Sequence, residues 1–432
     1  KEIRGSTPAS RFLVLELAER LPFEPRILGY LRLDPPIPRM HRRTPEGVER
    51  DIRERIFPRD WFHPTYEGGA DWQKALDRVN TAAARIARVV VHPDYRSEGF
   101  GALLVRVALE WAKERGAPEA RREKHLVYTI AQMARYHPFF EKVGFRYLFD
   151  TASGRPVLFY PLTEEAEAHL ERFLREDPYA KAHGGRLYKP RFGRVPGLPG
   201  PIRLAGVHKA YRSHLDLEGL SREVQEALLA FGVKARVVER AVLRGASLEI
   251  PPGSLVVLAG ASGAGKTTLL RLLLGEAPDA GEVAVPPGRR VAYIPGEREV
   301  DLGEAPILEA VYRRLKDVGA AIEVLNRVGL SDAVLYRARP HELSTGQRER
   351  FRLALLLAER PDLLLIDEFA AHLDVPTARR VALGLGKLCR EAGVTLVAAT
   401  HRPEVVAALD PDLLVYVGYG GLTTVPRRGP RT

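Results

Sequence analysis

The sequence predicts an α/β protein of two domains, and two strand–loop–helix stretches carry that prediction. In one, the apolar run Leu255-Val256-Val257-Leu258-Ala259 leads into Gly260-Ala261-Ser262-Gly263-Ala264-Gly265-Lys266-Thr267 and then Leu269-Leu270-Arg271-Leu272-Leu273-Leu274. A buried strand, a glycine turn and a helix start are the context of a phosphate-binding loop. In the other, residues 85–91 read as a strand, a short segment ends at Gly99-Phe100-Gly101, and a helix follows to about residue 115. In both loops the glycines let backbone N–H groups approach an anion at a helix N-terminus. The 432 residues are enough for two or three domains, each with a core of its own.

Composition narrows the class. Hydrophobic residues make up 45% and charged residues 28% of the chain, ordinary for a water-soluble globular protein. No apolar run approaches the ~18 residues of a membrane span, so no membrane insertion is expected and the chain forms no channel of its own. The single cysteine, Cys389, excludes an internal disulfide framework, and a cytoplasmic setting is the expectation. The net charge is +11, and the stretch 178–215 holds eight basic residues and no acidic one. Two readings of that stretch stand. It binds a polyanion, nucleic acid above all, or it is a solvated connector in an Arg-rich chain.

In chain order, residues 11–17 and 26–33 read as two strands. An irregular, partly helical insertion, 34–81, follows. It holds the basic run Arg39-Met40-His41-Arg42-Arg43 and the rings Trp61, Phe62, His63, Tyr66 and Trp72, which either stack nucleobases or fill a small core. The helix after Gly101 has apolar positions Leu103, Leu104, Val107, Ala108 and Trp111 at helical spacing. Strands at 125–130 and near 156–160 and a polar helix at 163–175 close this half, residues 1–176. A Gly/Pro-rich stretch, 177–201, reads as a linker. Within it Tyr188 and Phe192 alternate with Arg186, Lys189, Arg191 and Arg194, which suits stacked bases beside phosphates.

Set after Val-Val-Val-His-Pro-Asp-Tyr, the segment Arg96-Ser97-Glu98-Gly99-Phe100-Gly101 resembles the pyrophosphate-binding motif of GNAT-type acyltransferases. Tyr136-His137-Pro138-Phe139-Phe140-Glu141-Lys142-Val143-Gly144-Phe145 is similar to a second segment of that family. The resemblance covers about residues 10–160 and implies a GNAT-type α+β fold. It also implies acetyl-CoA or a related thioester, held by Val91, Arg96, Ser97, Gly99, Phe100 and Gly101. Many family members carry at the position of Phe140 a Tyr that protonates the departing thiolate. Here Tyr136 and His137 are the candidate acid or base. The Tyr-His-Pro-Phe-Phe-Glu run looks like the Mom-type branch of the fold, which the resemblance associates with modification of DNA bases.

Residues 202–432 bring five motifs in one order. The phosphate loop is followed by Leu343-Ser344-Thr345-Gly346-Gln347, the strand Leu363-Leu364-Leu365-Ile366 ending at Asp367-Glu368, then Ala371-His372-Leu373-Asp374 and His401. This set resembles an ABC-type ATPase, which implies ATP and Mg²⁺. Gly260, Ser262, Gly263, Gly265, Lys266, Thr267 and Thr268 would cradle the phosphates, and Tyr211 would stack the adenine. Thr267 and Asp367 would hold Mg²⁺, Glu368 would polarise the attacking water, and His401 would contact the γ-phosphate. Ser344 and Gly346 would complete the site of a second copy, giving an ATP-dependent homodimer, and Gln347 and Asp374 would also bind nucleotide. The coupling glutamine expected after residues 291–294 is replaced by Pro295-Gly296-Glu297. The function these resemblances imply is ATP hydrolysis coupled to CoA-dependent acyl transfer onto nucleic acid. The alternatives are a transporter ATPase with an appended acyltransferase, and an inactive acyltransferase fold that only binds CoA or a partner.

Overall fold

The computed structural model describes residues 10–20, 22, 24–37, 39–62, 81–92, 95, 99–114, 122–215, 217–233, 236–296, 301–418 and 420–426. The chain divides into two compact units, Lys1–Pro190 and Arg191–Thr432.

The first unit is built on a six-stranded sheet of β1 (Arg11–Glu16), β2 (Ile27–Asp34), β5 (Ala83–Val91), β6 (Leu126–Ile130), β8 (Pro156–Pro161) and β7 (Arg146–Asp150), in that order. All neighbours are antiparallel except β5 and β6, which need a crossover, supplied by the helix Phe100–Glu114. That helix buries Leu104, Val105, Ala108, Leu109 and Ala112. They meet Leu31, Leu33 and Ile86 on one face of the sheet. The expected stripe is rotated: Leu103 and Val107 point outward, because only the residues nearest the sheet can exclude water.

A second core on the other face gathers Met40, Ile52, Ile56, Trp61 and Phe62 against Tyr128, Phe159, Leu170 and Phe173. The insertion after β2 thus supplies core as well as loop. It folds as a hairpin of β3 (Arg42–Thr44) and β4 (Gly47–Glu49), then a short helix Arg53–Ile56. Trp61 and Phe62 are buried and offer no stacking surface; His63, Tyr66 and Trp72 lie outside the described residues. Arg42 is also committed, its guanidinium donating to Asp177 Oδ1 at 2.9 Å and Glu49 Oε2 at 2.9 Å.

The second unit has a six-stranded sheet in the order β13 (Val291–Ile294), β14 (Leu363–Ile366), β15 (Thr395–Ala399), β11 (Leu255–Ala259), β16 (Leu413–Gly418), β17 (Gly421–Pro426). It is parallel except for the last pair, and β14 and β15 are buried along their whole length, as a doubly covered parallel sheet requires. A three-stranded antiparallel sheet is formed by β9 (Ile202–Leu215), β10 (Arg236–Ile250) and β12 (Ala280–Ala284). The stretch read as a linker is more ordered than a connector. Asp177 caps the helix Pro178–His183 in the first unit. In the second unit Phe192 is a fully buried core residue, and the N–H groups of Arg191 and Phe192 donate to Glu323 Oε2 at 2.6 and 3.1 Å. Phe192 cannot stack a base, since burying a ring in a core is worth more than exposing it. Among the described residues no helix is long and apolar enough to cross a membrane.

Candidate functional site

Strand β11 is buried between β15 and β16 and delivers the phosphate loop at its carboxyl end. Gly260 has φ +146°, and a Cβ there would lie 2.2 Å from the Val417 carbonyl oxygen, so only glycine fits. The helix Lys266–Leu273 starts directly after the loop. Lys266 Nζ donates to the carbonyls of Gly260 and Ala261, both at 2.8 Å, which holds the ammonium over the loop. Ser262 is exposed there and Thr268 is buried in the first helical turn.

The Thr267 hydroxyl donates to Asp367 Oδ2 at 2.7 Å, although the two lie 100 positions apart. A hydroxyl and a carboxylate in contact, both hard oxygen donors, fit Mg²⁺ shared with nucleotide phosphates. Among the described residues no group of three His, Cys, Asp or Glu forms a metal cage, so this pair is the candidate. Glu368 follows in a left-handed conformation, φ +49°, as does Ala370 at φ +62°. Such backbone is costly for residues with a side chain and is held here by Phe369 N donating to Ala399 O at 2.8 Å. A Cβ on Gly296 would lie 3.1 Å from the Glu368 carboxylate. The glycine that replaces the expected coupling segment therefore makes room for Glu368; Glu297 is outside the described residues.

His401 is exposed at the end of β15. Its neighbour Arg402 donates from Nη1 to the carbonyls of Ala370 and Leu373, at 2.7 and 2.5 Å, and so ties the His401 loop to the segment after Glu368. Asp374 caps the helix Val375–Ala392 by accepting from Thr377 N at 2.9 Å; burial raises its pKa, but the Thr377 hydrogen bonds outweigh that and hold it below the ordinary value. Ser344 and Gln347 form a reciprocal capping box at the start of the helix Thr345–Ala358, with Ser344 exposed. A Cβ on Gly346 would lie 3.1 Å from Leu373 Cδ2. The Tyr211 hydroxyl donates to Glu276 Oε1 at 3.2 Å. Tyr211 is in register with Arg240 of β10, whose guanidinium donates to the Gly263 carbonyl at 2.8 Å. The sequence assigns no role to Gly296, Arg240 or Arg402; a glycine two residues past the end of β13 is the only local signal, and it concerns Gly296 alone.

In the first unit β5 and β6 pair only from Ala83–Ile86 to Leu126–Thr129, while β5 runs on to Val91, so the two strands part toward their carboxyl ends. Gly99 sits there with φ +89° and nothing within 4 Å of a Cβ position, and Phe100 opens the helix. Gly101 lies under the Phe139 ring, which a Cβ would approach to 3.1 Å. Arg96 and Ser97 are outside the described residues. An open glycine turn at a helix start beside parting strands suits the diphosphate and amide groups of a CoA thioester. We expect Gly101→Trp to lower affinity for acetyl-CoA at least tenfold in calorimetry, with ATP affinity unchanged.

Phe140 is buried against Phe139 and Phe145, in T-shaped contacts at 4.8 and 5.3 Å. Tyr136 and His137 follow a 3₁₀ turn, both donating backbone N–H to Met133 O at 2.9 Å. Burial, helped by the Lys142 charge, pushes the His137 pKa down from 6.5 to about 4. Its Nδ1 is buried without a hydrogen-bond partner among the described residues. His137 is therefore neutral at pH 7. The unfolded chain binds its proton near pH 6.5 and the folded one only near 4, so stability falls as pH drops between those values. Thermal unfolding from pH 7.5 to 4.5 should show that fall, and His137→Gln should make it shallower.

A family model described as ABC transporter matches residues 243–371, and one described as acetyltransferase (GNAT) domain matches residues 67–147. The lipoprotein-releasing system ATP-binding protein LolD 1 of Rhodospirillum rubrum is 35% identical over 193 residues, covering 39% of this chain and 84% of that protein. The chain belongs to the ABC ATPase family. Its ATPase is likewise similar to the zinc import ATP-binding protein ZnuC of Ruegeria pomeroyi, 34% identical over 198 residues, 44% of this chain and 75% of that one. The methionine import ATP-binding protein MetN of Mesorhizobium japonicum is 34% identical over 209 residues, 43% of this chain, which spans only 56% of that relative's length. Among solved structures, a dimeric bacterial ABC transporter cassette matches with a TM-score of 0.40 at 22% identity, covering 53% of this chain and 100% of that one. This ABC ATPase carries its GNAT domain on the N-terminal side.

Proposed function

We propose that the chain hydrolyses ATP and couples the hydrolysis to CoA-dependent acyl transfer onto nucleic acid. The observation that carries the ATPase half is the 2.7 Å contact of Thr267 with Asp367, directly beside Glu368. Lys266 and the helix start behind it bind the β- and γ-phosphates, leaving Glu368 to polarise the attacking water. His401 contacts the γ-phosphate, and Arg402 passes its position to the Glu368 segment. Mg²⁺ bound by Thr267 and Asp367 would offset the charge of the phosphates.

In the GNAT domain an acceptor nucleophile attacks the thioester carbonyl, the C–S bond breaks, and the thiolate takes a proton. Phe140 has no proton to give, and His137, neutral with a pKa of about 4, is not a proton donor at pH 7. Tyr136 is left to donate that proton, and the proton lost by the acceptor passes to solvent, since an imidazole that titrates near 4 does not hold it at pH 7. The nucleic-acid acceptor is supported by the acid-free basic stretch, in which Arg186, Lys189 and Arg194 are each exposed. The deciding experiment is a mass-spectrometric nucleoside digest of DNA and RNA from cells with and without this chain. An acyl-modified nucleoside that vanishes with the chain is expected; identical digests would count against the reading. A second reading, an ATPase serving a separate transporter, is favoured by the import proteins among the relatives. It predicts co-purification with a membrane partner and no change in the digest.

A further inference from the structure

Two glycines of the phosphate loop face the neighbouring strand β10. A Cβ on Gly265, where φ is +109°, would lie 2.5 Å from Val242 Cγ1. One on Gly263, where φ is +71°, would lie 3.1 Å from Arg240 Nη2. The glycines at these places therefore clear room for β10 as well as for backbone approach to an anion. Just past Val242, Arg244 N donates to Gly420 O at 2.6 Å, which fixes β10 to the turn between β16 and β17.

Arg240 is thus brought onto the loop with most of its donors unused. The residue is exposed, and Nη2 donates to the Gly263 carbonyl at 2.8 Å. Among the described residues that carbonyl is its one acceptor, and no carboxylate pairs with it. Glu239, next to it in the strand, accepts from Arg212 Nε at 3.0 Å. Glu276, the partner of Tyr211 across the ladder, is paired with Lys209 Nζ at 3.0 Å. A guanidinium carries five N–H donors and a permanent charge, so one bond to a carbonyl leaves most of the fork for an anion. Lys266 sits on other carbonyls of the same loop, those of Gly260 and Ala261. Two cations therefore border one phosphate loop.

We propose that Arg240 binds the α-phosphate of ATP and fixes the nucleotide between Tyr211 and Lys266. Tyr211 and Arg240 stand directly opposite each other in the β9–β10 ladder, where such Cα atoms are about 4.5–5.5 Å apart. Arg240 meets the loop at Gly263, three residues before Lys266. Lys266 takes the β- and γ-phosphates, and Tyr211 would stack the adenine. Between those two ends a nucleotide has its ribose and its α-phosphate, and of these only the phosphate is an anion. The α-phosphate keeps its charge and place after the γ-phosphate has left. Arg240 therefore holds ATP and ADP alike, and its work is binding rather than chemistry. The inference rests on the ATPase reading above and adds to it a contact from outside the five motifs.

The test is calorimetry of the full chain with Mg²⁺ and either ADP or a non-hydrolysable ATP analogue, beside steady-state phosphate release from ATP. Arg240→Gln keeps a neutral donor for the Gly263 carbonyl, and Arg240→Met keeps none. Both alter an exposed side chain, so without nucleotide both should unfold at the parent's temperature. Each should weaken the analogue and ADP by the same factor, about tenfold, as for loss of a hydrogen bond to a charged group. In turnover the loss should appear as a higher KM rather than a lower kcat. If Arg240→Gln binds both nucleotides as the parent does and only Arg240→Met is weak, the residue serves the loop carbonyl alone and the inference falls. If the analogue is weakened and ADP is not, the contact is at the γ-phosphate and the inference also falls. Either result leaves the ATPase reading standing as long as Lys266→Ala loses both nucleotides. If the parent binds neither nucleotide, the ATPase reading falls with the inference.

Discussion

Glu368→Gln is expected to bind ATP and Mg²⁺ as the parent does and to hydrolyse it about 10²–10⁴-fold more slowly, the range for loss of a group that activates the nucleophile. The carboxylate is held for one use. Its backbone is left-handed, the Gly296 backbone faces it without a side chain, and its N–H donates to Asp367 Oδ1 at 3.1 Å. Glutamine keeps the shape and the polar contacts but cannot draw a proton from water. Lys266→Ala should act earlier, removing the ammonium that compensates phosphate charge and with it most nucleotide affinity. Phosphate release and ATP binding measured on the same samples separate the two effects. A Glu368→Gln protein that turns over at the parental rate would mean that another group activates the water.

Much of this was legible because the signals are local. Five residues of apolar strand, a glycine turn and a Lys-Thr pair specify β11, the loop and the helix Lys266–Leu273 within one short window. The capping box of Ser344 and Gln347 is equally local. What escaped depends on partners far along the chain. Phe192 looks like a stacking ring between arginines until Glu323, 131 positions away, accepts its N–H and draws it into the ATPase core. Trp61 and Phe62 look free until Phe159 and Tyr128 meet them. Arg402 has no motif at all, since its partners are two backbone carbonyls.

The second large effect concerns assembly. The helix Thr345–Ala358 opens with Ser344 exposed and with first-turn N–H groups that no helix pairs internally. Such an end attracts phosphate, yet the chain carries one phosphate loop and one such segment, so two copies in two-fold arrangement would build two complete sites. The face is also wired to the chemistry of its own chain. A Cβ on Gly346 would lie 3.1 Å from Leu373 Cδ2, the Leu373 carbonyl accepts from Arg402, and Arg402 also holds Ala370, two residues past Glu368. A γ-phosphate docking on Ser344 would therefore be felt at the partner site, and its loss on hydrolysis would remove the contact that favours the closed pair. Glu368→Gln with ATP and Mg²⁺ should sediment as a firm dimer, the parent with ADP as monomer or a weak pair. Ser344→Arg should stay monomeric while binding ATP normally, because the added bulk and length block the neighbour's phosphate and leave its own loop untouched. A Glu368→Gln protein saturated with ATP that sediments only as monomer would show that each chain hydrolyses ATP alone.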